Sequence, residues 1–126
     1  MNVYLVDDSS FMNLVCKKAL STEGYNIVGE AYDGESAICE VLECVPDVVI
    51  MDIALPKKNG LEATKAILEK QPQIKILAVS ALEEDWVEEK ALEAGCVHFL
   101  QKPFSARDLV DTVHNIYQVN EVRKHG

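Results

Sequence analysis

Five side chains in this sequence combine into one chemistry: Asp7, Asp8, Asp52, Ser80 and Lys102. They follow short apolar runs, at Val3–Val6, Val48–Met51, Ile74–Val79 and Val97–Leu100. Each alone has an ordinary explanation. An Asp can cap a helix, a Ser can make a turn, and a Lys can be solvated. Together they describe more. Two like charges ~5 Å apart cost on the order of 3 kcal/mol at an effective dielectric of ~20, so three clustered carboxylates want a cation. A few hard oxygen donors, with room for water and a phosphate, suit Mg2+ better than a soft metal. Lys102 adds a point charge and Ser80 a hydroxyl, both fit to hold a tetrahedral oxyanion. The implied chemistry is phosphoryl transfer onto a carboxylate, a known form of covalent catalysis.

For these residues to meet, the apolar runs must be strands of one sheet. The run leading into Asp52 is continuous rather than alternating, which suits a parallel strand covered on both faces. In open α/β sheets ligands bind at the carboxyl ends of the strands, where all five residues would lie. Helical stripes fill the intervals. Phe11, Leu14, Val15 and Ala19 recur at helical spacing after Ser9 and Ser10, with Gly24 as a stop. Ile27–Ala31 reads as a shorter, more polar edge strand, and Asp33-Gly34 as a turn. Ala37, Ile38, Val41, Leu42 and Val45 mark a second helix ending at Pro46. Pro56–Gly60 reads as a loop, and Leu61, Thr64, Ile67 and Leu68 as a third helix closing near Pro72. An acidic fourth helix over Glu83–Ala94 would bury Val87, Ala91 and Ala94. Ser105, with Asp108 three residues on, is close to a capping box before a last stripe of Leu109, Val110, Val113, Ile116 and Tyr117. Residues 118–126 are a polar tail or an extension of that helix. Five strands alternating with five helices predict an α/β fold: a doubly wound five-stranded parallel sheet with right-handed crossovers.

Composition narrows the functional classes. The 126 residues suit a single domain spanning 1–126, with no repeat, low-complexity stretch or linker. A net charge of −9 argues against non-specific binding to nucleic acid or to an anionic membrane. It fits a cation site or a basic partner. No apolar run has transmembrane length, and the N-terminus lacks a basic region before an apolar one. Cys16, Cys39, Cys44 and Cys96 form no CxxC and no Cys/His metal pattern. They are expected as reduced, partly buried thiols of a cytoplasmic protein. His98, His114 and His125 pair into no metal or catalytic set. Trp86, among acids on the fourth helix, either packs or belongs to a partner face.

The acidic pair Asp7-Asp8, the segment Met51-Asp52-Ile53-Ala54-Leu55-Pro56 with Gly60, the pair Ser80-Ala81 and the run Lys102-Pro103-Phe104 are all present and in order. In this the chain closely resembles the CheY-like receiver domain of two-component response regulators, over about residues 2–117. The resemblance implies a flavodoxin-like (βα)5 fold with strand order 2-1-3-4-5. It implies that Asp52 is the phospho-acceptor, that Asp8 binds Mg2+ directly and Asp7 through water, and that the Ala54 backbone carbonyl is a further ligand. Lys102 and Ser80 would hold the phosphoryl oxygens, and the small Ala81 would leave access to the site. Ser80 and Phe99 would form the switch, Phe99 falling at the family's switch aromatic three residues before Lys102. Ala54 and Leu82 would flank the path of the hydrolytic water. The Lys102-Pro103 bond is expected to be cis. The implied partners are a sensor histidine kinase or phosphotransfer protein and an output protein or fused output domain, with no direct nucleic-acid or membrane role. Phosphorylation would change the surface of the fourth helix, fifth strand and fifth helix. The implied activity is self-directed phosphoryl acceptance and autodephosphorylation, not catalysis on a separate substrate.

Two other classes compete. A metal-dependent phosphohydrolase with an aspartyl nucleophile usually needs a second acid for the leaving group, and two residues after Asp52 stands Ala54. A pseudo-receiver, an interaction module that is never phosphorylated, does not need so complete a site.

Overall fold

The computed structural model describes residues 1–125, with side chains described through Gln118. Five strands alternate with five helices. The strands are β1 (Asn2–Val6), β2 (Asn26–Ala31), β3 (Val48–Asp52), β4 (Lys75–Ser80) and β5 (His98–Gln101). The helices are α1 (Ser10–Thr22), α2 (Gly34–Cys44), α3 (Gly60–Lys70), α4 (Asp85–Glu93) and α5 (Ala106–His125). All pairings are parallel, in the order β2-β1-β3-β4-β5. This is the flavodoxin-like arrangement expected from the sequence, with β2 at an edge and the fully buried β3 in the middle.

Successive strand residues point to opposite faces, so each strand feeds two cores. Tyr4, Val6, Val49, Met51, Ile76 and Ala78 pack under α2, α3 and α4. Val3, Leu5, Val48, Ile50, Leu77 and Val79 pack under α1 and α5, against Leu20, Leu109 and Val113. This alternation sets the site. Asp7 lies two beyond Leu5, Asp52 two beyond Ile50, and Lys102 two beyond Leu100, which packs on the same layer. The three therefore continue one face of the sheet, the one covered by α1 and α5. Ser80 continues Ala78 and so belongs to the other face.

The structure corrects several local expectations. The predicted stripe on α1 is off register: Phe11, Leu14 and Val15 are exposed, and Asn13, Cys16 and Leu20 face the sheet. Three apolar residues at helical spacing masked the true inner face, because that face contains a polar residue. Asp33-Gly34 is not a free turn. Asp33 is the N-cap of α2, its carboxylate accepting from the Ser36 N–H at 2.8 Å. Gly60 opens α3 rather than closing a loop. Asn59 and Glu62 form a capping box there that the sequence reading did not identify. α4 begins at Asp85 rather than Glu83, with no side-chain cap. Val87, Ala91 and Ala94 are buried as expected. The Ser105/Asp108 box is present in both directions, at 3.2 and 3.0 Å. The tail continues α5 through His125; the side chain of His125 and residue 126 lie outside the described residues.

Candidate functional site

β1 and β3 are neighbours in the sheet, so their carboxyl ends bring Asp7 and Asp52 side by side. Asp8 follows Asp7 and points outward. One carboxylate oxygen from each of Asp7, Asp8 and Asp52 falls within 4.8 Å of the others. Lys102 crosses from the end of β5 to meet them. Its Nζ lies 2.6 Å from Asp7 Oδ2 and 3.2 Å from Asp52 Oδ2, with the side chain mostly buried. The sequence could not tell whether Lys102 was solvated; the structure makes it the cation between two buried carboxylates.

Each group is held from its own element. Asp7 Oδ1 accepts the Ser9 N–H at 2.9 Å, and its backbone N–H donates to Ala31 at 3.1 Å. Asp52 Oδ1 accepts the Ala54 N–H at 3.0 Å. The Asp52 peptide passes so close to α3 that a Cβ at Gly60 would collide with the Asp52 carbonyl oxygen. The same loop passes α2, where a Cβ at Gly34 would collide with the Lys58 carbonyl. Lys57 takes φ +63°, with its Nζ 3.9 Å from the Asp33 carboxylate. The Lys102-Pro103 peptide is cis, as expected.

Electrostatics follow from this packing. Burial pushes the Asp52 carboxyl above its ordinary pKa, and the Asp7 charge adds to the rise. Lys102 and the Ala54 N–H pull it partly back. Burial alone would lower the Lys102 ammonium, but Asp7 and Asp52 outweigh it and hold it above its ordinary range. A carboxylate kept basic in a dry site is a stronger nucleophile than one in water. The donor set is hard oxygen, clustered, and carries three acids against one lysine. That fits a small divalent cation such as Mg2+.

The remaining expected residues have different surroundings. Ser80 is fully buried, and its Oγ accepts the Leu82 N–H at 3.0 Å, which leaves its proton free to donate. Ala54, Ala81 and Leu82 are exposed. Phe99 is half-buried against the layer that includes Val87 and Ala91 of α4. Trp86 is half exposed. The sequence reading missed Asn13, a buried amide whose Nδ2 donates to the Asp7 carbonyl at 3.2 Å. Its only signal was a polar residue beside an apolar stripe.

A parallel five-stranded sheet with an acidic cluster and a lysine at its carboxyl rim defines a CheY-like receiver, and sequence comparison agrees. The family model for the response regulator receiver domain matches residues 3–114, and the chain belongs to that family. The chemotaxis protein CheY of Thermotoga maritima is 35% identical over 114 residues, covering 90% of this chain and 95% of that protein. The protein-glutamate methylesterase/protein-glutamine glutaminase of Pyrococcus abyssi is 38% identical, but the match covers only 35% of its length. Among solved structures, the CheX–CheY–BeF3–Mg2+ complex from Borrelia burgdorferi superposes with a TM-score of 0.89 at 28% identity. That match covers 93% of this chain and 89% of that one. The chain is thus a receiver module of two-component signalling systems.

Proposed function

We propose that this receiver accepts a phosphoryl group on Asp52 from the phosphohistidine of a partner kinase or phosphotransfer protein. One observation carries the reading: the Lys102 ammonium bridges the buried Asp7 and Asp52 while the outward Asp8 carboxylate completes the cluster. An Asp52 oxygen attacks phosphorus in line as the P–N bond to the partner's histidine breaks, and the departing imidazole keeps the electron pair. Lys102 exchanges a carboxylate for a phosphoryl oxygen, and the Ser80 hydroxyl donates to another. Asp8, Asp52 and the Ala54 carbonyl would hold Mg2+ directly, and Asp7 through water. When bound, the ion neutralises charge on the transferring group.

The phosphorylated form draws Ser80 toward the phosphoryl group and lets Phe99 turn inward. Phe99 shares a packing layer with α4, and α4 has no side-chain N-cap, so that element is the one most readily shifted. The changed α4–β5–α5 surface is then read by an output protein or a fused output domain. The net charge of −9 speaks against direct contact with nucleic acid or an anionic membrane. No helix among the described residues is long and apolar enough to cross a membrane. The site of action is the cytoplasm. Hydrolysis of phospho-Asp52 by water resets the module.

Intact-mass spectrometry after incubation with acetyl phosphate and Mg2+ tests the assignment. Wild type should gain one phosphoryl group, and Asp52→Asn should gain none while keeping its circular dichroism. A mutant labelled at the wild-type rate would place the nucleophile elsewhere, and an unlabelled wild type would make the protein a pseudo-receiver.

A further inference from the structure

We propose that Asn13 is a positioning residue for Asp8, holding that carboxylate ready for a divalent cation; this rests on the phospho-acceptor reading above. The argument begins with an asymmetry between the two adjacent acids. The Asp7 side chain is fixed by the Ser9 N–H and by Lys102. The Asp8 carboxylate makes no hydrogen bond and no ion pair among the described residues, and it is exposed. Its position therefore comes from its backbone alone.

That backbone is the two peptides flanking the Asp8 Cα, and each is gripped at one point. The Asp7 carbonyl accepts the Asn13 Nδ2 at 3.2 Å. The next peptide is held where the Ser9 N–H meets Asp7 Oδ1 at 2.9 Å. With both peptides fixed, the direction of the Asp8 Cα–Cβ bond is fixed as well, since only ψ of Asp7 and φ of Asp8 could turn it.

The burial of Asn13 sharpens the point. A side-chain amide with 2% exposure replaces an apolar residue on the inner face of α1, between Asp7 and Cys16. Leucine would fill that layer more cheaply, because a buried amide must be paired. What the amide adds is a donor to a strand-end carbonyl that accepts no backbone bond among the described residues. Groups behind metal ligands that orient them typically change metal affinity by about 10–100-fold when removed.

The test is calorimetric titration with MgCl2 at a temperature well below melting, on wild type, Asn13→Leu and Asn13→Gln. Asn13→Leu should weaken Mg2+ binding about 10-fold, and Asn13→Gln, which keeps a donor, should recover part of that loss. In the metal-free protein, the Ser9 amide, bonded to Asp7 Oδ1, should exchange faster with solvent in Asn13→Leu than in wild type. If Asn13→Leu melts lower yet keeps wild-type Mg2+ affinity and amide protection, Asn13 serves the fold alone and the proposal is wrong. Should Asn13→Leu not fold, Asn13→Ser replaces it in both measurements with the same two outcomes. A wild type that binds no Mg2+ would overturn the phospho-acceptor reading, and the metal-free amide exchange would still decide whether Asn13 orders Asp8.

Discussion

At the scale of single residues, Lys102 and the acids it joins decide how the metal-free protein behaves. Removing one partner of a mostly buried ion pair leaves the others uncompensated. Lys102→Met should therefore lower unfolding free energy by about 3 kcal/mol without metal, as read by urea titration. Mg2+ should return part of that loss, since it would replace the missing positive charge. A variant as stable as wild type would mean that Asp7 and Asp52 do not depend on Lys102. In the proposed mechanism the flanks of the site would govern a different quantity, the lifetime of the phosphorylated state. Ala54 and Leu82 stand two residues after Asp52 and Ser80, both are exposed, and neither can orient a water for in-line attack. Loss of radiolabel should be slower in wild type than in an Ala54→Asn, Leu82→Glu double variant. Equal decay would remove these two positions as determinants of lifetime. The types and order of the site residues were plain in the sequence, because each follows an apolar run. The contacts were not: that Lys102 spans Asp7 and Asp52 depends on strand order and on which face each residue takes.

At the scale of elements, strands and buried helix faces were legible wherever one physical signal dominated. β3 was the clearest, five consecutive buried residues with no competing pattern. The inner face of α4, Val87 and Ala91 with Ala94 at the C-cap, was read correctly because the rest of the helix is charged apart from Trp86 and Leu92. α1 defeated the same method. Its exposed Phe11, Leu14 and Val15 make a better apolar stripe than its buried Asn13, Cys16 and Leu20. Periodicity alone cannot know that the buried amide serves a carbonyl at the site. The starts of α2 and α3 were misread for a related reason, since a cap and a turn draw on the same residue types. The Asp33 cap yields a test in pH. Hydrogen bonds from the Ser36 backbone and the nearby Lys57 hold the Asp33 carboxyl below its ordinary pKa of 3.8. A depressed carboxyl stabilises the fold above its unfolded pKa, and that contribution fades as pH falls through the lower folded value. Thermal melts of wild type and Asp33→Ala should differ at pH 7 and converge as the solution is taken well below pH 3.8. A gap that persists unchanged in acid would mean that the charge of Asp33 contributes nothing.

At the scale of the whole molecule, the four thiols report which parts are closed. All are free, but they divide in two: Cys16 and Cys96 are buried, while Cys39 and Cys44 lie exposed on α2. Expecting all four to be partly buried was wrong for the pair on α2, because Cys39 falls on its outer side and Cys44 is its last residue. Burial pushes the Cys16 and Cys96 thiols up to about 11, so both are shielded and protonated at neutral pH. A thiol reagent should find Cys39 and Cys44 quickly in the native protein, and Cys16 and Cys96 only on unfolding. Four fast thiols would show that the two cores open readily. The packing also governs how the molecule can be altered. Gly34 and Gly60 each begin a helix, and helix propensity alone would nominate both for alanine, at a nominal gain of about 1 kcal/mol apiece. Yet at each position a methyl group would run into a carbonyl oxygen of the segment that carries Asp52. The commonest recipe for a sturdier variant is closed at these two positions. A random library selected only for heat resistance, with no demand for signalling, should still return glycine at both.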